Sequence, residues 1–326
     1  MDDEEQIDYV RIEKWLLDVE DAIGCDLFEQ VSNRDEYVLF LPQDHPIDKA
    51  IKKKIDHLEY HLYIKRSDLA IYEHFIDGIV QAVAKNTHIA ITKKAAIIYR
   101  QASFVLDDMF HDPEALENVP KSKKVVNTFV DTILTDTHAI ESLIKITAYD
   151  YYTHTHSINV CIYSLSLGSY IGLEVKVLEA LGISALLHDL GKSKIDHAIT
   201  NKNGRLNDDE YEQMKHHPLY GYKIALKIGI KDPLILDGIR HHHEKIDGSG
   251  YPDGISAKKI TLFARIIGVC DVFDALSTKR SYKERLSSFD ALKLIKETMS
   301  HHLDIKFVDA FIQMQRRENE IDALSS

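Results

Sequence analysis

Residues 183–192 read Ile183-Ser184-Ala185-Leu186-Leu187-His188-Asp189-Leu190-Gly191-Lys192. An apolar stretch of helical length ends there on a His-Asp dyad, so two polar residues sit at the end of a helix that must be buried. Similar placements recur outward along the chain: His216-His217 before Pro218, and His241-His242-His243-Glu244 after an apolar run. A turn-rich loop follows, Asp247-Gly248-Ser249-Gly250-Tyr251-Pro252, and then Cys270-Asp271 at the end of Ile266-Ile267-Gly268-Val269. Nine of the 18 histidines lie between His154 and His243. Imidazole and carboxylate are the standard nitrogen and oxygen donors to divalent metals, and their recurrence at apolar helix ends points to a metal site.

The flanking sequence carries helix after helix. Apolar spacing predicts helices at 125–134, 137–148, 156–171, 175–187, 208–216, 219–228, 233–241, 262–275, 288–298 and 304–318, with no strand alternation between them. This half reads as an all-α domain over residues 126–326, a helical bundle. Residues 1–125 read as a smaller mixed α/β domain. Ile7 to Ile23 has helical spacing closed by Gly24, while Tyr37–Leu41 and Leu62–Ile64 read as strands. The charged run Asp48 to Asp56 is a solvated helix face, Asp68 is a cap for a helix reaching about Lys85, and Ile91 to Phe110 is a further helix. Pro120-Lys121-Ser122-Lys123-Lys124 is the linker candidate. The overall class is mainly α.

Composition narrows function. The 326 residues carry 40 Lys and Arg against 52 Asp and Glu, a net charge of −12, which excludes a general nucleic-acid binder. Cys25, Cys161 and Cys270 stand far apart in no paired motif and read as reduced thiols of a cytoplasmic protein. The acidic start Met1-Asp2-Asp3-Glu4-Glu5 is no signal peptide, and no run is apolar enough for a membrane span. His45, His57, His61, His74 and His88 lack recurring acidic partners and read as surface or hydrogen-bonded residues.

A metal pair suits the dyad. Neighbouring helical residues point about 100° apart, so His188 can serve one metal while Asp189 spreads its two oxygens over two. His217 opens a helix, because Pro218 fits only a first turn. His242 and His243 close another helix, and Asp271 lies on a buried one. A closed structural zinc site is the competing reading, but such sites favour Cys and take four ligands, fewer than the candidates here. A surface metal trap fits His241 alone.

His188-Asp189-Leu190-Gly191-Lys192 followed by His242-His243-Glu244 and Asp247-Gly248-Ser249-Gly250-Tyr251-Pro252 resembles the HD-GYP family of HD metal-dependent phosphohydrolases, over roughly residues 140–315. The resemblance implies hydrolysis of cyclic dinucleotides, chiefly cyclic di-GMP, to linear pGpG and on to GMP. It implies His156, His188, Asp189, His217, His242, His243 and Asp271 as ligands, with Asp189 bridging. It also implies phosphate contacts from Lys192, Arg280 and Lys283. Some members hold a third metal with a Glu four residues before the upstream His. That position is Tyr152 here, so two divalent ions are expected; iron is the family's frequent choice, and manganese and zinc suit the same donors.

A metal pair about 3.5–4 Å apart can share a water, bring its pKa towards neutrality and stabilise charge at phosphorus. The shared hydroxide would then attack in line with the departing 3′ oxygen. Lys192, three residues after Asp189, reaches the same side and can neutralise a non-bridging oxygen; alternatively it is a solvated lysine. Arg280 can grip phosphate in a bidentate manner where Lys283 cannot, and both are otherwise solvent-facing charges. Gly248, Gly250 and Gly254 supply positive-φ turns, and Pro252 stiffens them. The loop, Tyr251 included, either lines the substrate mouth or presents a docking edge, as the family's interaction with GGDEF domains implies. His241 and Glu244 are candidates to orient ligand imidazoles, whereas His154 and His216 read as ordinary neighbours. A catalytically weak cyclic-dinucleotide receptor, or an enzyme for another cyclic dinucleotide such as cyclic GMP-AMP, are the alternatives. The N-terminal half shows no haem, flavin or phosphoacceptor signature, and a protein contact or homodimer role is its default.

Overall fold

In the computed structural model the described residues are 8–12, 14, 17, 23–31, 36–58, 60–85, 90–135, 138–147, 155–278 and 286–325. They form two compact units, residues 1–90 and 91–326.

Within the first unit a sheet of order β1-β4-β2-β3 is antiparallel throughout, with β1 Tyr9–Ile12, β2 Leu27–Gln30, β3 Tyr37–Leu41 and β4 Leu62–Lys65. Ile12, Leu27, Leu62 and Ile64 are nearly inaccessible and form its core with Ile55 of helix α1, Lys49–His57. Asp48 caps α1 by accepting from the Ile51 amide at 2.7 Å. Tyr37–Leu41 and Leu62–Ile64 are strands as expected, and α2 spans Leu69–Lys85. The helix expected from Ile7 is not formed where the chain is described. Tyr9 pairs with Lys65 and Ile12 with Leu62 in a ladder, because Val10 and Ile12 share a face at the period of a strand as well. Ile7, Leu16 and Val19 lie outside the described residues.

In the second unit every element among the described residues is helical: α3 Ile91–His111, α4 Asn118–Thr135, α5 Ala139–Thr147, α6 Thr155–Tyr170, α7 Val175–Leu187, α8 His197–Thr200, α9 Asp208–Met214, α10 His217–Lys227, α11 Pro233–His241, α12 Leu262–Ser277, α13 Ser288–Thr298 and α14 Ile305–Ser325. The division between the units falls at Ala90, not near Pro120. Pro120 lies in the first turn of α4, where a missing amide hydrogen costs no helical bond, so the expected linker is the start of a helix. Helices α6, α7, α11 and α12 pack on one another as the core, with Phe263, Phe273 and Phe311 fully buried. No described helix is long and apolar enough to cross a membrane.

Candidate metal centre

Six elements deliver the expected donors to one place. His156 lies in the first turn of α6, and His188 ends α7 as its C-cap. Asp189 starts the 3-10 turn Leu190–Lys194. His217 opens α10 with Pro218 behind it, His242 ends α11, and Asp271 projects from the middle of α12. The turn carrying Asp189 can approach α10 only because residue 191 is Gly: a Cβ there would stand 2.0 Å from the His217 carbonyl oxygen.

Three of these imidazoles share one arrangement. Nδ1 of His188 donates to the Ala185 carbonyl at 2.6 Å, that of His217 to Met214 at 2.8 Å, and that of His242 to Ile239 at 2.8 Å. Each Nδ1 proton is thereby committed three residues back along the chain, and each Nε2 lone pair is turned into the cavity. His156 uses a different partner, Oδ2 of Asp274, at 2.7 Å.

Asp189 sits between two histidine groups. Its Oδ2 is 3.6 Å from Nε2 of His156 and 3.5 Å from Nε2 of His188, while Oδ1 faces Nε2 of His217 at 3.2 Å. Asp271 Oδ1 lies 2.9 Å from Nε2 of His156, and its Oδ2 lies 3.6 Å from His243. Donor atoms fall within 4.8 Å of one another in three overlapping groups: His217, His242 and His243; His156, His188 and Asp271; and His188, Asp189 and His242.

The donors fit a metal better than they fit one another. Nε2 of His188 and Oδ1 of Asp189 are buried with no hydrogen-bond partner, an arrangement that costs about 1–3 kcal/mol per atom unless a ligand satisfies it. The Nε2 atoms of His217 and His242 stand 3.2 Å apart, both with their Nδ1 protons already committed. Two lone pairs so placed repel each other, and a cation between them removes the repulsion. Protonation points the same way. Burial, with charged neighbours, holds His188 and His242 below the usual imidazole range, and burial takes His243 down to about 3. Against its burial, the Lys192 ammonium and His188 keep Asp189 ionised, and His156 does the same for Asp271. Neutral imidazoles beside anionic carboxylates are the ligand forms of both groups.

The surroundings correct several expectations. Glu244, buried, accepts from the backbone amides of Asp253, Gly254 and Ile255 at 2.7, 3.0 and 3.0 Å, so it clasps the loop and orients no imidazole. His241 bonds Asp237 and Asp253 at 2.7 and 2.8 Å, likewise away from the ligands. Gly248 and Gly254 have positive φ, but Gly250 serves by its missing side chain. A Cβ there would meet the Lys245 amide at 2.4 Å and the His243 carbonyl at 2.6 Å. The sequence reading missed Asp274, a buried carboxylate one turn after Asp271. It also accepts from Asn159 Nδ2 at 2.9 Å and from the Thr278 hydroxyl at 2.8 Å. The Asp-x-x-Asp spacing was the signal for it. Lys192 pairs with Asp189 Oδ2, and Tyr251 stacks on His243. Tyr152, His154, Arg280 and Lys283 lie outside the described residues.

The family model for the HD domain matches residues 140–307. Among curated proteins, the chain is 32% identical over 224 residues to the cyclic di-GMP phosphodiesterase PA4108 of Pseudomonas aeruginosa, covering 68% of this chain and 54% of that protein. It is 38% identical to the cyclic di-GMP phosphodiesterase response regulator RpfG of Xanthomonas campestris, over 46% of this chain and 40% of that one. A third relative, the 3'3'-cGAMP-specific phosphodiesterase 3 of Vibrio cholerae, is 34% identical over 47% of this chain and 33% of its own length. The chain thus spans about half the length of these relatives, or less. Among solved structures, Bd1817, a HDG"Y"P protein from Bdellovibrio bacteriovorus, superposes with a TM-score of 0.73 at 20% identity, covering 95% of this chain and all of that one; the fold is shared.

Proposed function

The chain belongs to the HD domain family and carries the sequence blocks of its HD-GYP branch, and from that premise we propose that it is a metal-dependent phosphodiesterase that opens cyclic di-GMP to linear pGpG and then to GMP. The observation that carries the reading is Asp189, whose two oxygens face two separate histidine groups. His156, His188 and Asp271 would hold one divalent ion, His217, His242 and His243 the other, and Asp189 both. When bound, the pair supplies a water of lowered pKa and neutralises charge at phosphorus. Iron is the first candidate, with manganese and zinc next, and the Tyr152 position favours two ions over three.

The chain's own groups do the rest. Lys192, one-third exposed beside Asp189, presents an ammonium to a non-bridging phosphoryl oxygen. Tyr251 backs His243 at the mouth, where it contacts substrate, and Arg280 and Lys283 hold the phosphates. The loop Asp247–Gly254 offers an edge to a GGDEF domain, and residues 1–90 serve partner or homodimer contacts. Three free, scattered cysteines agree with a cytoplasmic setting.

A second reading, cyclic GMP-AMP as substrate, is favoured by the 34% identical Vibrio relative. One experiment tests both: metal content and turnover of the two cyclic dinucleotides, in competition, on one anaerobically purified sample. Two metals and linear product from cyclic di-GMP support the proposal, and preference for cyclic GMP-AMP moves it to the second reading. Metal with tight binding and no product makes the chain a receptor.

A further inference from the structure

A line of buried polar groups runs from α3 to the metal centre. The Tyr99 hydroxyl donates to Oδ1 of Asn159 at 2.7 Å, and Nδ2 of Asn159 donates to Oδ1 of Asp274 at 2.9 Å. Oδ2 of Asp274 then accepts from Nδ1 of His156 at 2.7 Å. Tyr99, Asn159 and Asp274 are all at most 1% exposed, so no water replaces a lost member cheaply.

The direction of these bonds matters. An amide can be turned end for end, and only one orientation gives Asp274 a donor rather than a second acceptor. The carboxylate, an acceptor only, requires that orientation, and the Tyr99 hydroxyl supplies the donor that the amide Oδ1, buried by the same turn, needs. Asp274, held in this way, accepts the hydrogen bond from Nδ1 of His156, so that Nε2 is the ring atom that faces Asp271 and Asp189. Tyr99 stands on α3, which packs on α6 and lies outside residues 140–307. The stretch matching the HD domain therefore does not contain the whole support of its own ligand.

We propose that Tyr99 is a positioning residue for His156, acting through Asn159 and Asp274. The inference rests on the reading of His156 as a metal ligand. Its test is Mn²⁺ titration of the full chain by calorimetry, comparing the parent with Tyr99→Phe, Asn159→Ala and Tyr163→Phe. Tyr163 is the control, a buried tyrosine whose hydroxyl meets Thr147 at 2.7 Å rather than Asn159. Loss of the group bonded directly to a ligand weakens metal binding about 10–100-fold, and Tyr99, two hydrogen bonds further out, belongs at the lower end. Tyr99→Phe should weaken one of two Mn²⁺ events about tenfold, leave the other unchanged, and be matched by Asn159→Ala but not by Tyr163→Phe. Two unchanged events in Tyr99→Phe, or an equal loss in Tyr163→Phe, would overturn the inference while leaving the metal centre standing. A parent chain that takes up no Mn²⁺ would overturn both.

Discussion

The phenol of Tyr251 lies against the imidazole of His243, with ring centroids 4.7 Å apart and planes 29° from parallel. The contact is set by backbone: the Tyr251 amide donates to the His243 carbonyl at 3.3 Å, and Gly250 lets the loop fold onto the end of α11. Glu244 closes the arrangement with its three amide contacts. Glu244→Ala leaves those amides without an acceptor and should cost about 1–3 kcal/mol. Thermal unfolding should report that loss, and limited proteolysis should cut within residues 247–255 while metal content persists. A variant as stable and as protease-resistant as the parent would show that the clasp does not hold the loop.

Asp189→Asn replaces one of the two oxygens with a donor nitrogen at a nearly inaccessible position. Both histidine groups then lose their shared anion, and on one side an amide N–H faces lone pairs. The expected result is loss of at least one metal ion per chain and of detectable cyclic-dinucleotide hydrolysis, with the circular-dichroism spectrum unchanged. Full metal content in a folded variant would remove Asp189 from the bridging role proposed for it.

How much of this was readable beforehand depends on whether the signal was local. His188, His217 and His242 announce themselves at helix ends, and Pro218 marks the start of α10 without reference to any neighbour. The helices of the second unit follow from apolar period for the same reason. β1 was not separable, since Val10 and Ile12 suit a strand as well as a helix and the choice is made by β4, more than fifty residues on. β2 puts its apolar Leu27 and Phe28 side by side before Glu29 and Gln30, so it shows no alternation. Asp274 needs knowledge of where His156 arrives, 118 residues away in sequence. Glu244 looked like a helper to ligands because it adjoins them in sequence, yet its carboxylate turns to the loop.

Lys192 and Asp189 form an ion pair one turn apart, with the lysine side chain one-third exposed and the carboxylate buried. An ammonium so placed meets a phosphoryl oxygen with little rearrangement. Lys192→Met keeps the length of the chain and removes the charge. Turnover of cyclic di-GMP should fall roughly 10²–10³-fold, the usual effect of deleting one preorganised electrostatic contact, with metal content retained. Lys194→Met is the comparison. That lysine pairs with Glu114 at the surface at 2.9 Å, and its loss should leave turnover within twofold, about the scatter of surface substitutions. Equal effects of the two substitutions would assign Lys192 to the surface as well.

The last expectation concerns pH. Burial opposes a charge on His156, but Asp271 and Asp274 on either side raise its pKa from 6.5 to about 9 in the metal-free chain. A folded-state pKa above the unfolded one stabilises the fold below pH 6.5, and that contribution is lost as the pH rises to about 9. The melting temperature of chelator-treated protein should therefore fall across this window. On the proposed assignment Nε2 binds metal and carries no proton in the loaded protein, so the fall should be absent there. Metal affinity should rise over the same interval, because each ion taken up by this group displaces a proton. His156→Gln should flatten the metal-free curve. Scanning calorimetry at half-unit steps of pH is the measurement. A metal-free curve that stays level or climbs towards pH 9 would mean that His156 is already neutral between its two carboxylates.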